Sequence, residues 1–211
     1  MVTAELHAIA RKMVARNKGI LAADESNATM SKRLESINVA STPESRRQWR
    51  QLLFQTQGIG DFISGVIMYD ETIRQSDDSG KRFVELLAMS DILSGIKVDK
   101  STHDLAGAPG EFITEGLDGL RDRLAVYYSM GARFAKWRAL LTVGDRRPSD
   151  YAIHTNAHAL GRYAILCQEE GLVPIVEPEI LMDGVHNIDD CRLATKRSLT
   201  VVFEELVAQS V

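Results

Sequence analysis

Cysteine is scarce in this chain. Its two residues, Cys167 and Cys191, lie far apart and match no metal spacing. They fit reduced thiols in a cytosolic (or plastid stromal) compartment, so a cytoplasmic protein is expected. Excess positive charge is also missing. The net charge is -4, with 25 Lys and Arg against 29 Asp and Glu. Neither a nucleic-acid partner nor an acidic membrane surface is expected from such a balance. Long apolar runs are absent, and none approaches the roughly 20 residues that span a bilayer. Met1 to Lys18 carries Arg11, Lys12, Arg16 and Lys18, but also Glu5, and holds no unbroken apolar core. Leu6, Ile9, Ala10, Met13 and Val14 fall at helical spacing, which predicts an amphipathic helix rather than a signal peptide. No linker or low-complexity stretch divides the sequence, so one domain over residues 1–211 is expected. At 45% hydrophobic and 26% charged residues, the composition is that of an ordinary globular domain.

What the chain does have is alternation. Short apolar runs read as strands at Gly19 to Ala23, Phe62 to Tyr69, Ser94 to Asp99, Ala132 to Arg138 and Leu172 to Ile180. Helical patterns separate them, at Thr29 to Ile37, from Thr42 through Phe54, and at Gly80 to Met89. Others follow at Leu117 to Met130, from Pro148 to about Glu170, and from Asn187 almost to Val211. Thr42-Pro-Glu-Ser45 has the residues of a helix start, and Pro148-Ser-Asp150 is a second entry. Ser101 to Gly110, with Gly107, Pro109 and Gly110, reads as a long loop, and Asp70-Glu71 as a polar strand exit. Five strand–helix units of this kind predict an α/β fold with a parallel sheet. Each strand leads from apolar residues into charged ones at its C-terminal end, the pattern of a parallel α/β barrel. Five units do not close an eight-stranded barrel. Either the sheet is open or the chain is the N-terminal part of something longer.

The chemistry centres on Gly131-Ala-Arg-Phe-Ala-Lys-Trp-Arg138. Alternation along a strand puts Phe134, Lys136 and Arg138 on one side. A lysine on an inner strand face is costly unless partners surround it. Candidates are Asp24, the Lys97/Asp99 pair and the Glu177/Glu179 pair. The arrangement has a plain alternative, a structural ion-pair network of Lys136 and Arg138 with Glu177 and Glu179. The functional reading is that Lys97 and Lys136 depress each other's pKa, while Asp24 and Glu177 supply acid and base. Cations at the mouth would hold a phosphate ester, which points to carbonyl chemistry on a phosphorylated sugar. Pro178 could instead simply end the last strand, leaving its glutamates solvated. Arg46-Arg47 fits a wet helix face. His154 and His158 stand at i, i+4, but without a third ligand they fit a surface pair better than zinc. Gly58-Ile-Gly60 lacks the context of a nucleotide loop and reads as a turn.

Five stretches together resemble class I fructose-bisphosphate aldolase. They are Gly19-Ile-Leu-Ala-Ala-Asp-Glu-Ser-Asn-Ala-Thr29, Gly95-Ile-Lys-Val-Asp-Lys100, Gly116-Leu-Asp-Gly-Leu120, Gly131 to Arg138, and Gly171-Leu-Val-Pro-Ile-Val-Glu-Pro-Glu-Ile180. The Asp-Glu-Ser-Asn-Ala-Thr spelling is similar to the plastid and bacterial branch. The resemblance implies a (β/α)8 TIM barrel, this chain covering about the first five β/α units. It further implies a homotetramer that cleaves fructose 1,6-bisphosphate to dihydroxyacetone phosphate and glyceraldehyde 3-phosphate through a lysine Schiff base, without metal or other cofactor. On this chain it implies that Asp24 takes the C4 hydroxyl proton, and that Glu177 is the acid/base of carbinolamine formation and dehydration. Lys136 would orient that step and Glu179 would hold the neighbouring lysines. Ser26, Arg33, Arg46, Lys97 and Arg138 would contact the substrate, mainly its phosphates.

The family's Schiff-base lysine lies in a Leu-Leu-Lys-Pro motif on strand six, and the chain ends before that motif. The expectation is therefore an N-terminal part of the barrel, or a truncated product, with no aldolase activity by itself. Two other readings stand beside it. One is imine chemistry at Lys136, which sits on strand four where transaldolase places its lysine. The other is a non-catalytic binding or subunit partner, since the resemblance also implies binding to actin and other proteins. An open five-unit sheet would expose an apolar edge and should aggregate or pair.

Overall fold

The structure is a computed structural model that describes residues 2–211, with side chains from Ala4 onward. Its elements run in order α1 (Val2–Met13), β1 (Gly19–Ala23), α2 (Asn27–Glu35), α3 (Pro43–Phe54), α4 (Ile59–Phe62), β2 (Ile63–Met68), α5 (Asp70–Ile73), α6 (Phe83–Met89) and β3 (Leu93–Lys97). There follow β4 (Ser101–Asp104), β5 (Phe112–Glu115), α7 (Leu120–Met130), β6 (Phe134–Leu141), α8 (Asp150–Glu169), β7 (Val173–Ile180) and α9 (Ile188–Ala208). The helix expected from Met1 is seen from Val2; Met1 itself lies outside the described residues.

Five strands form one sheet in the order β1-β2-β3-β6-β7. β1 runs parallel to β2 and β2 to β3, with Ala23 opposite Met68 and Met68 opposite Ile96. Arg133 N–H donates to Ser94 O and Val98 N–H to Lys136 O, so β6 runs with β3. Val173 N–H donates to Arg133 O and Leu181 N–H to Leu141 O, so β7 runs with β6. All five strands are thus parallel, joined by helical crossovers, as the alternation predicts.

Local chemistry explains the helix starts. Thr42 and Ser45 cap α3 reciprocally, with Pro43 in its first turn. Ser149 Oγ accepts from Ala152 N–H at the head of α8, and Asn187 and Asp190 form a reciprocal cap on α9. α7 begins at Leu120 rather than Leu117, because Gly119 stands at φ 64°, in the left-handed region that a helix does not use.

One expectation is corrected. Ser101 to Gly110 is not simply a loop: Ser101–Asp104 is a strand, β4, and pairs antiparallel with β5, Asp104 opposite Phe112. The glycines and proline form only the turn between them. Asp70 and Glu71 likewise open a short helical turn, α5, rather than an irregular exit.

The chain divides into two compact units. The first holds residues up to Lys97, with Ala125–Ala135 and Gly171–Val173. Its core gathers Ile9, Met13, Met30, Leu34, Phe54, Met68, Phe83, Leu87, Ile96 and Phe134, and Phe54 meets Phe83 edge-on with centroids 5.2 Å apart. The second holds Val98–Leu124, Lys136–Glu170 and Pro174–Val211. Its core includes Leu105, Leu120, Leu124, Trp137, Leu141, Ile153, Leu160 and Tyr163. Trp137 and Tyr163 pack with centroids 5.5 Å apart, and Tyr163 Oη donates to Ile175 O.

Candidate active site

In the first unit the register alone aligns two of the expected residues. Ala23, Met68 and Ile96 are paired across β1, β2 and β3, so Asp24, Tyr69 and Lys97 occupy the next row. That row is the C-terminal edge of the parallel strands, where loops carry function in α/β folds. Asp24 is a buried carboxylate, 7% exposed, one residue beyond the strand.

The turn after Asp24 is tied down residue by residue. Ser26 is the N-cap of α2 and accepts from Thr29 N–H through Oγ at 3.3 Å. Glu25 is ion-paired with Arg33, which stands on α2 with its side chain 58% exposed. Glu25 also meets Arg50 of α3 at 2.8 Å. Arg46, on the same helix as Arg50, lies against Glu71 of α5. Its Nε and Nη2 both donate to that carboxylate at 2.7 Å, and Nη1 donates to Ser41 Oγ at 3.2 Å. These bonds hold the Glu71 carboxyl below the usual carboxylate range and raise the Arg46 guanidinium. The wet-face reading of Arg46-Arg47 therefore does not hold. Arg46 is bidentate to Glu71, and Arg47 bridges Glu44 and Asp78 at 2.6 Å each. A phosphate on this side would share Arg33 with Glu25 and Arg46 with Glu71.

In the second unit β6 and β7 lay two ion pairs side by side. Lys136 Nζ lies 3.4 Å from Glu177 Oε1, and Arg138 Nε lies 2.6 Å from Glu179 Oε2. The i, i+2 spacing on each parallel strand makes the two pairs a ladder. Its members differ in solvation. The Lys136 side chain is 11% exposed and that of Glu177 32%, whereas the Arg138 and Glu179 side chains are 42% and 37% exposed. Asp99 joins the ladder by accepting from the Arg138 backbone N–H at 3.4 Å. A buried lysine beside a carboxylate can orient a carbonyl and share a proton.

The structure thus joins Lys136 with Glu177 and Arg138 with Glu179. It sets Asp24 and Lys97 in one row, and gathers Ser26, Arg33 and Arg46 around the β1 exit with Glu25, Arg50 and Glu71. Sequence reasoning passed over the last three. Glu71 stood in view as part of a strand exit, but Arg50 carries no signal of its own, being one arginine on an amphipathic helix. His154 and His158 are both exposed, and each has its own bond, to Asp150 O and to Glu205. Among the described residues no cluster of His, Cys, Asp and Glu could hold a metal ion.

Comparison with known proteins bears on the same stretches. Residues 5–211 match the family described as Fructose-bisphosphate aldolase class-I. A protein of Xanthomonas campestris named "Probable fructose-bisphosphate aldolase class 1" is 52% identical over 98% of this chain and 62% of its own length. "Fructose-bisphosphate aldolase 4, cytosolic" of Arabidopsis thaliana is 53% identical over 97% of this chain and 52% of its own length. The solved fructose-bisphosphate aldolase of Plasmodium falciparum, in complex with TRAP and a small-molecule inhibitor, superposes with a TM-score of 0.96 at 47% identity. It is covered over 60% of its length, against 97% of this chain. The chain therefore spans between half and two thirds of the length of these relatives.

Proposed function

Because the chain belongs to the class I fructose-bisphosphate aldolase family, we propose that it supplies part of a site for the reversible cleavage of fructose 1,6-bisphosphate. The products are dihydroxyacetone phosphate and glyceraldehyde 3-phosphate. The reading rests above all on Lys136, buried on β6 with its ammonium 3.4 Å from Glu177. Glu177 is assigned to protonate the hydroxyl that leaves a carbinolamine as water, and Lys136 to stabilise the charge that develops beside it. Asp24 is assigned the proton of the C4 hydroxyl. With the ketose held as an iminium on a lysine that residues 1–211 are not assigned to supply, removal of that proton would send the C3–C4 bonding electrons into the iminium and release the aldehyde. Glu179 fixes the ladder through Arg138, and Arg138, Lys97, Ser26, Arg33 and Arg46 are assigned to the phosphate ends. Residues 1–211 contain no Leu-Leu-Lys-Pro sequence, so Lys136 is assigned an orienting role and not that of the nucleophile.

Titration with fructose 1,6-bisphosphate tests this assignment. Saturable binding is expected to the native chain, weakened about tenfold or more, equivalent to about 1.4 kcal/mol, by Lys136→Met or Arg138→Ala. Absence of saturable binding would overturn it. Borohydride reduction with dihydroxyacetone phosphate is expected to leave no adduct on this chain. A stable adduct that vanishes in Lys136→Ala, but not in Lys97→Ala, would instead establish imine chemistry at Lys136. The homotetramer implied by the resemblance belongs to the same proposal and is checked by sedimentation velocity. So does a cytoplasmic setting, in keeping with relatives named cytosolic or cytoplasmic isozymes.

A further inference from the structure

A guanidinium in a protein core needs a reason, and Arg50 is 2% exposed. Removing such an ion from water costs several kcal/mol even after relaxation, and hydrophobic replacements of similar volume are often no less stable. Burial accordingly weakens its hold on the proton, opposed by the charges of Glu25 and Asp24. Stability alone is thus a poor explanation for this side chain, and its contacts offer a better one.

Nη2 lies 2.8 Å from Glu25 Oε2 and donates to the Glu25 backbone carbonyl at 3.2 Å. Nη1 donates to Met30 Sδ at 3.0 Å. One planar fork on α3 therefore grips the side chain and the main chain of the residue between Asp24 and Ser26. It also holds the first turn of the helix that Ser26 caps. A lysine ammonium, with a single charged centre, has no such fork. The ionisable groups around Arg50 are Asp24 and Glu25 from the turn, Arg33 from α2 and Glu71 from α5.

The geometry points to Arg50 as a positioning residue, which through Glu25 holds the turn that presents Asp24 and Ser26 at the C-terminal edge of the strands. The functional weight of this hold rests on the proposed role of Asp24. Arg50 itself, enclosed by protein, touches no substrate.

Arg50→Lys and Arg50→Met, made in the full chain, test the inference by NMR. Hydrogen exchange at Thr29 N–H, which donates to Ser26 Oγ, reports on the turn. The Ala139 amide in β6 serves as control. In both variants Thr29 exchange is expected to quicken about tenfold or more, with Ala139 unchanged. Native-like exchange at Thr29 in Arg50→Lys would overturn the inference, because charge alone would then suffice. Equal acceleration at Thr29 and Ala139 would also overturn it, because the role would be global stability. Exchange at both amides is read without sugar phosphate. A negative result therefore leaves the proposed reaction standing, and failure to bind sugar phosphate leaves the hold on the turn standing.

Discussion

Side by side on α3, Arg46 and Arg50 show that a residue's neighbours, more than its type, set what its charge does. Arg46 spends its donors on Glu71, whose carboxyl is held low chiefly by those hydrogen bonds. A carboxylate with a depressed folded pKa adds stability above its unfolded value of about 4.3, and loses it as pH falls through the lower folded value. Glu71→Gln should therefore melt at a lower temperature than the native chain at pH 7. The gap should close as the pH drops below about 4. A gap that stays constant across that window in thermal melts would show that the ion pair is not its source. The two cysteines make a second contrast. Cys167 is fully buried and burial pushes its thiol well up, whereas Cys191 is partly exposed on α9. Ellman's reagent should find one reactive thiol in the native chain and two in denaturant. Two fast thiols in the native state would contradict the burial of Cys167.

At the level of strands and helices, one aromatic ring explains two glycines. A Cβ on Gly95 would sit 2.2 Å from the Phe134 ring, and one on Gly65 would sit 3.0 Å from it. β2 and β3 thus leave a hollow that Phe134 of β6 fills, fully buried. Gly95→Ala should cost about 1–3 kcal/mol through overpacking. Gly95→Ala combined with Phe134→Leu should recover part of that loss in urea melts. Strict additivity of the two changes would mean that they do not share this space. Neither glycine's purpose was legible in the sequence, where Gly95 reads only as the start of a charged strand. The strands themselves were legible as short apolar runs; β2, the most deeply buried of them, writes one with no charged residue. So were the starts of α3, α8 and α9, because capping is local chemistry. The β4–β5 hairpin was not legible: its residues, Ser-Thr-His-Asp and Phe-Ile-Thr-Glu, include only two large apolar side chains. Its Gly and Pro turn signals mask the short strands on either side.

For the whole chain, the informative feature is the path between the two compact units. The backbone passes from one to the other at residues 97–98, 124–125, 135–136, 170–171 and 173–174. β6 and β7 each contribute residues to both, so neither unit is a continuous segment that could fold and leave the other behind. The candidate site was legible only in part. Asp24, Lys136 and Glu177 were legible as charges at the ends of apolar runs. The pairing of Lys136 and Arg138 with Glu177 and Glu179 was legible too, whereas that of Glu25 with Arg50 and of Glu71 with Arg46 was not, because these meet only after α3 packs beside the β1 exit. One domain over residues 1–211 was expected because no linker divides the chain, and interleaving gives that expectation a physical test. Each unit carries one tryptophan, Trp49 in the first and a fully buried Trp137 in the second. Trp137→Phe leaves fluorescence to report on the first unit, and Trp49→Phe leaves it to report on the second. A single cooperative domain requires each variant's fluorescence transition to coincide with its own far-UV circular dichroism transition in urea. If the Trp137 signal were lost at a distinctly different urea concentration from the backbone signal of the same variant, the two units would be unfolding separately despite their shared strands.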